Sequence, residues 1–226
     1  MALGKKELFP QGPAGPTPPH DSPSRPRELP VTPVSFALVG VSTALFLVGA
    51  ARPDVRALGV LSGPLVAQGE WFRLVTYLVT HGGPLHLFFN LSVVWTVGRV
   101  LELALGSLRF LLVTLIAGVG AGALILAFNF TDRTVGMSGA ILGWLGVLLP
   151  VVKPAGRREL VTWLVQIAVL SLLPGVSWAG HLGGFLTGLP LGLALRQGRK
   201  AFSVALPLVA FLVAVFAVLA GTGRLV

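Results

Sequence analysis

Ser138 stands in "VGMSGAILGW", a single hydroxyl between glycines at the head of an apolar run. A serine there opens a helix, so unpaired backbone N–H groups and the positive end of the helix dipole lie beside it. That setting favours a developing negative charge and suits an oxyanion. Gly136 and Gly139 let the chain turn sharply and let another backbone come close. His181, in "WAGHLGGFLTGLPLG", could take the serine's proton. His86 and Asn90, in "THGGPLHLFFN", are four residues apart and share one helix face, where both could donate to one point. Acyl transfer needs a nucleophile, a base and oxyanion donors, and these four residues can fill those roles.

Each residue also has a plainer use. Ser138 could be an ordinary helix N-cap, worth about 1 kcal/mol. His181 could donate one structural hydrogen bond between helices, and an asparagine in an apolar helix is often glue of the same kind. A shared depth argues for more. His86, His81 and His181 all fall near those ends of apolar segments that lie on the same side as Ser138, and only His20 lies elsewhere. No carboxylate lies at that depth: Asp132 is in a loop and Glu102 is near the opposite end of its segment. The expected device is a Ser–His dyad rather than a triad, with His181 held by packing and His81 ordering the entry of its helix.

The elements that carry these residues are apolar helices. The chain has 226 residues, 54% hydrophobic and 11% charged, so the solvent for most of it is lipid. There is no cysteine, which excludes disulfides and cysteine-ligated metals. Spans are expected at 34–51, 85–105, 108–129, 137–152, 159–174, 179–196 and 202–221, making an all-α polytopic bundle of six helices plus one. The stretch 52–84 is too long and too mixed for a turn, and is expected to fold on or partly into the membrane face. Residues 1–33 are rich in Pro and Gly, with no apolar periodicity and no signal-peptide pattern, and read as a disordered cytoplasmic tail. Residues 34–196 then form the core, and 197–226 an extra C-terminal helix.

Net charge is +9, but the basic residues sit in loops and tails, so they speak of topology and not of nucleic acid. With the N-terminus inside, twelve Lys and Arg fall on the inner side and five on the outer. The loop before Ser138 is then outside. Gly180, Gly184, Gly188 and Gly192 recur every four residues and make a smooth stripe, and Gly139 with Gly143 offers a matching pair. Gly against Gly brings two helix axes close and sets Ser138 beside His181.

The combination of "HGGPLHLFFN", "GMSG" and "GHLGGFLTG", in this order across residues 34–196, resembles the rhomboid family of intramembrane serine proteases. The resemblance implies Ser138 as nucleophile and His181 as base, within a motif that includes Gly184 and Gly188. It implies that His86 and Asn90 hold the oxyanion together with the Ser138 N–H. It implies membrane-protein substrates cut at small residues near helix breakers, and nothing in the sequence requires a cofactor or a metal. Two positions depart from the family pattern. Phe72-Arg73 stands where the family has Trp-Arg, with Arg73 expected to order the first loop. Leu142 stands where an aromatic residue often stacks on the catalytic histidine. The compact chain without a targeting signal points to a bacterial-type inner membrane, with an organellar membrane as the alternative.

Other classes leave different marks. A non-catalytic relative that binds or escorts membrane proteins usually lacks the serine or the histidine. A zinc protease wants H-E-x-x-H, whereas His81 and His86 are five apart with no Glu between them. A transporter would show inverted repeats or charged pairs at the midplane. The sequence leaves the oligomeric state open.

Overall fold

Nearly uninterrupted apolar runs, broken by Gly, Pro and a few charges, can satisfy their backbone in lipid only as helices. The computed structural model describes residues 31–224. The proline-rich stretch up to residue 30, with Lys5, Lys6, His20, Arg25 and Arg27, lies outside the described residues. The described residues form helices joined by turns, with one isolated antiparallel bridge between Leu61 and Thr134.

Helix α1 is Pro33–Ala51. Three short helices follow, α2 Pro53–Leu58, α3 Gly63–Ala67 and α4 Arg73–Thr76, the last running into a 3-10 turn at Tyr77–Val79. The next long helix has three parts. Helix α5, Pro84–Val93, passes through a π turn at Val94–Gly98 into α6, Arg99–Leu105. Then come α7 Ser107–Phe128, α8 Ser138–Leu148, α9 Pro154–Leu170, α10 Trp178–Gln197 and α11 Arg199–Gly221. Four segments are long and apolar enough to cross a bilayer unaided: Pro33–Ala51, Pro84–Leu105, Ser107–Phe128 and Arg199–Gly221. The chain is an all-α polytopic bundle and an integral membrane protein.

Three helices differ by three residues or more from the spans expected of the sequence, α11 among them, since it starts at Arg199 rather than 202. Helix α8 ends at Leu148 rather than 152, because Pro150 has no N–H to continue the ladder. Helix α9 starts at Pro154 rather than 159, since proline suits the first helical position, and it ends at Leu170 rather than 174. Arg157, Arg158 and Glu159 are therefore helical.

The packing order places α8 at the centre. Every residue from Gly139 to Leu148 is buried. Trp144 packs on Phe110 at 5.0 Å between ring centroids and donates from Nε1 to Thr114 Oγ1 at 3.0 Å. Helices α7 and α10 enclose α8, and α11 lies on α7 and α10 with most of its surface outward. The glycines explain how close α8 and α10 come. A Cβ on Gly184 would fall on the Gly139 carbonyl oxygen, and one on Gly188 on that of Gly143. Only backbone fits between the two helices at these points.

The stretch 52–84 is clamped to the loop that leads into α8. Leu61 and Thr134 exchange backbone hydrogen bonds at 2.9 and 3.0 Å, Gly63 N–H donates to Phe130 O, and Gly136 N–H donates to Tyr77 O. Arg73 holds the stretch together. Its Nη1 donates to the Ala57 and Val60 carbonyls at 2.6 and 2.7 Å, and its Nε and Nη2 bind Glu70.

At the opposite end of the bundle, buried Glu102 caps the start of α1. Its carboxylate accepts from the backbone N–H of Val34 and Ser35, and from the hydroxyls of Ser35 and Ser107, at 2.7–3.0 Å. One carboxylate thus joins α1, α6 and α7. Glu102→Ala leaves two helix-start N–H groups and two hydroxyls without an acceptor. The expected loss is about 3 kcal/mol of unfolding free energy, read from titration with denaturing detergent, with the chemistry at Ser138 unchanged in the folded fraction.

Candidate functional site

Ser138 is the first residue of α8, and Met137, not Ser138, occupies the cap position. The serine hydroxyl makes no capping bond there. It points instead to His181, with Oγ 2.9 Å from Nε2. His181 lies one turn into α10, whose start is set by Ser177. The Ser177 side chain accepts from the Gly180 N–H, and its carbonyl accepts from the His181 N–H. The helix-to-helix contact at Gly139 and Gly184 is the framework that brings serine and imidazole together. It lies one residue beyond Ser138 and three beyond His181.

The imidazole has a second partner. Its Nδ1 lies 2.6 Å from Ser171 Oγ, just past the end of α9. The expectation that packing alone holds His181 is therefore corrected: a hydroxyl holds it too. Nothing in the sequence marked Ser171. The one available signal was a polar residue in the apolar stretch "VLSLLPG", next to a helix stop.

His86 and Asn90 face the same cleft from α5. One N–H of the buried Asn90 amide donates to the His86 carbonyl at 2.8 Å, which leaves the second free to donate into the cleft. Gly136 lies against the His86 ring. Its φ of +120° is open to glycine, and a Cβ there would strike the imidazole. His81 packs edge-on against His86 at 5.2 Å between centroids. It sits in the turn before α5, where burial, and next the neighbouring His86, push its pKa down to about 4, so it stays neutral.

These groups line one cleft of about 890 Å³. Ser138, His181, His86, Asn90, Gly136 and Gly139 all border it. So does Leu142, in the position where an aromatic would stack on the histidine. Asp132 and Arg133 lie at its border, as does the turn Leu173–Ser177 with Gly175 at φ +83°. Among the sequence-derived candidates, Gly184 and Gly188 act from the helix interface and Arg73 from the 52–84 stretch; neither set borders the cleft. No cluster of residues suited to hold a metal occurs among the described residues. A nucleophile, a base, two side-chain donors and a helix N-terminus around one cavity can carry out acyl transfer.

Comparison with known proteins points the same way. The family model for the Rhomboid domain matches residues 68–198. "Rhomboid protease GluP" of Bacillus subtilis is 38% identical over 148 residues, covering 62% of this chain and 29% of that protein. "RHOMBOID-like protein 5" of Arabidopsis thaliana is 36% identical over 169 residues, covering 66% and 52%. "Rhomboid-type serine protease 2" of Emericella nidulans is 35% identical over 147 residues, covering 60% and 29%. The chain spans between 29% and 52% of the length of these curated relatives.

Proposed function

The chain belongs to the rhomboid family, and from that premise we propose that it is an intramembrane serine endopeptidase working through a Ser138–His181 dyad. The observation that carries this reading is the 2.9 Å bond between Ser138 Oγ and His181 Nε2 inside a cleft that His86 and Asn90 also line. In this reading a substrate transmembrane segment enters and locally unwinds. His181 takes the Ser138 proton as Oγ attacks the scissile carbonyl. Asn90, His86 and the Ser138 N–H hold the oxyanion, and His181 returns the proton to the leaving amine. His181 then takes a proton from water as the water attacks the acyl carbonyl, and gives it to Ser138 Oγ as the carboxylic acid product leaves. The loop 174–178, with Pro174 and Gly175 as hinges, acts as the cap over the cleft.

Residues 34–196 act as the catalytic core and 197–226 as an added helix. The N-terminus faces the cytoplasm across a bacterial-type inner membrane, and the substrates are membrane proteins cut at small residues near helix breakers. The protein in detergent, treated with a fluorescent fluorophosphonate, is expected to carry the label on the peptide that contains Ser138, and a chelator should leave the labelling unchanged. A well-folded protein that takes no label sinks the protease reading in favour of a relative that binds membrane segments without cutting them.

A further inference from the structure

We propose that Ser171 is a positioning residue that fixes the tautomer of His181; the proposal rests on the protease reading above for its consequence, and on hydrogen-bond geometry for its substance. A serine hydroxyl has one proton to donate and lone pairs to accept with. The Ser171 hydroxyl donates that proton to the Ile167 carbonyl at 2.6 Å, the usual bond to the residue four back in a helix. The same oxygen lies 2.6 Å from His181 Nδ1. Donation to Nδ1 instead would leave two acceptor oxygens 2.6 Å apart with no proton between them, so the arrangement that satisfies both contacts has Ser171 accepting from His181 and Nδ1 carrying the ring hydrogen. A neutral imidazole has one such hydrogen, and Nε2 is then a bare acceptor. Nε2 is the nitrogen that faces Ser138 Oγ, so the serine must donate to it.

This is the tautomer a general base requires. In the other one, Nε2–H would point at the nucleophile and could take no proton from it. An orienting carboxylate does this work in a triad, where replacing it by a neutral amide, which leaves the histidine in the wrong tautomer, costs about 10⁴-fold. Ser171 is uncharged and does not stabilise the imidazolium electrostatically as a carboxylate would. Its effect is confined to tautomer and ring orientation. Ser171 is buried, so little water reaches it to act in its place. Helix α9 also brings Ile167 and Leu170 to the lining of the cleft, but neither carries a polar group that could orient the imidazole.

The test uses the full-length protein in detergent, labelled with ¹⁵N-histidine, with His181 signals assigned by their absence in His181→Ala. The expected spectrum has His181 protonated at Nδ1 and bare at Nε2 in the wild type and in Ser171→Thr. Ser171→Ala and Ser171→Val should show a mixture of tautomers or the reverse one. Fluorophosphonate labelling rates should fall between about 10-fold and 100-fold in Ala and Val and recover in Thr, a smaller loss than that of a charged partner. Threonine and valine are close in shape, so their comparison isolates the hydroxyl even if Ala perturbs the fold. An unchanged His181 spectrum in both Ala and Val overturns the proposal, as does a wild-type ring bare at Nδ1. A wild type with the expected spectrum but no labelling supports the tautomer assignment and sinks the protease reading, so the two failures are separable.

Discussion

Alanine at Ser138 or at His181 is expected to abolish fluorophosphonate labelling and to cut hydrolysis of a reporter transmembrane segment by at least about 10⁴-fold, and the double variant should be no slower than either single one. The non-additivity is the informative part. Ser138 and His181 share one hydrogen bond, so removing either leaves the other without a task. The serine without its base remains a weak alcohol, and the histidine without its nucleophile could at best activate water. The residual rate in all three variants should be similar, since it comes from the oxyanion donors and from substrate binding, which none of them alters. The reporter carries small residues and a helix breaker at the cut and is assayed in liposomes. A His181→Ala variant retaining a tenth of the wild-type rate would mean that another group serves as base.

The second large effect comes from a residue that touches no substrate. Gly184→Ala is expected to slow labelling by about 100-fold, since a misplacement of about 1 Å at reacting groups has that consequence. The new methyl would fall on the Gly139 carbonyl oxygen, and backbone cannot rotate out of its way as a side chain can. Helices α8 and α10 must part or tilt, and Ser138 and His181 sit at this end of the contact. Overpacking should also cost about 1–3 kcal/mol of stability, read as a lower midpoint in denaturing detergent. Gly40→Ala is the control. A Cβ there meets nothing within 4 Å, and alanine favours a helix, so neither labelling nor stability should fall. Equal labelling rates for Gly184→Ala and wild type would show that the helix contact does not set the Ser–His distance.

Much of the architecture was legible because membrane physics leaves few choices. Apolar runs of span length must be helices, and Gly106 marks an end that composition alone suggests, whereas Pro154 opens α9 five residues before the expected start. The four-residue glycine repeat in α10 and the pair in α8 were legible as a close crossing, since small residues are where membrane helices meet. Ser171 was not legible. Its contact depends on where α9 stops and how it is rotated, and the expected helix ran past it to 174, whereas the structure ends the helix at Leu170. The pairing of Leu61 with Thr134 was hidden for a related reason: it joins two irregular segments, and no periodicity reports which backbone groups will meet. The support of His86 by Gly136 could have been suspected from a glycine two residues before Ser138. Only the fold says which ring it accommodates.

The π turn at Val94–Gly98 makes the helix from Pro84 to Leu105 one residue longer than a plain α-helix joining the same two ends. The half before it aims His86 and Asn90 at the cleft, and the half after it aims Glu102 at the start of α1. Each residue turns an α-helix by about 100°, so chain length between these two anchors is a matter of phase. Removing exposed Thr96 should relax the turn to ordinary α geometry and leave both anchors facing as they do, giving a folded protein that still labels at Ser138. Removing a second residue from the same stretch has no slack to draw on, and must turn either His86 and Asn90 away from the cleft or the Glu102 carboxylate away from α1. This transmembrane helix is a register with one step of tolerance.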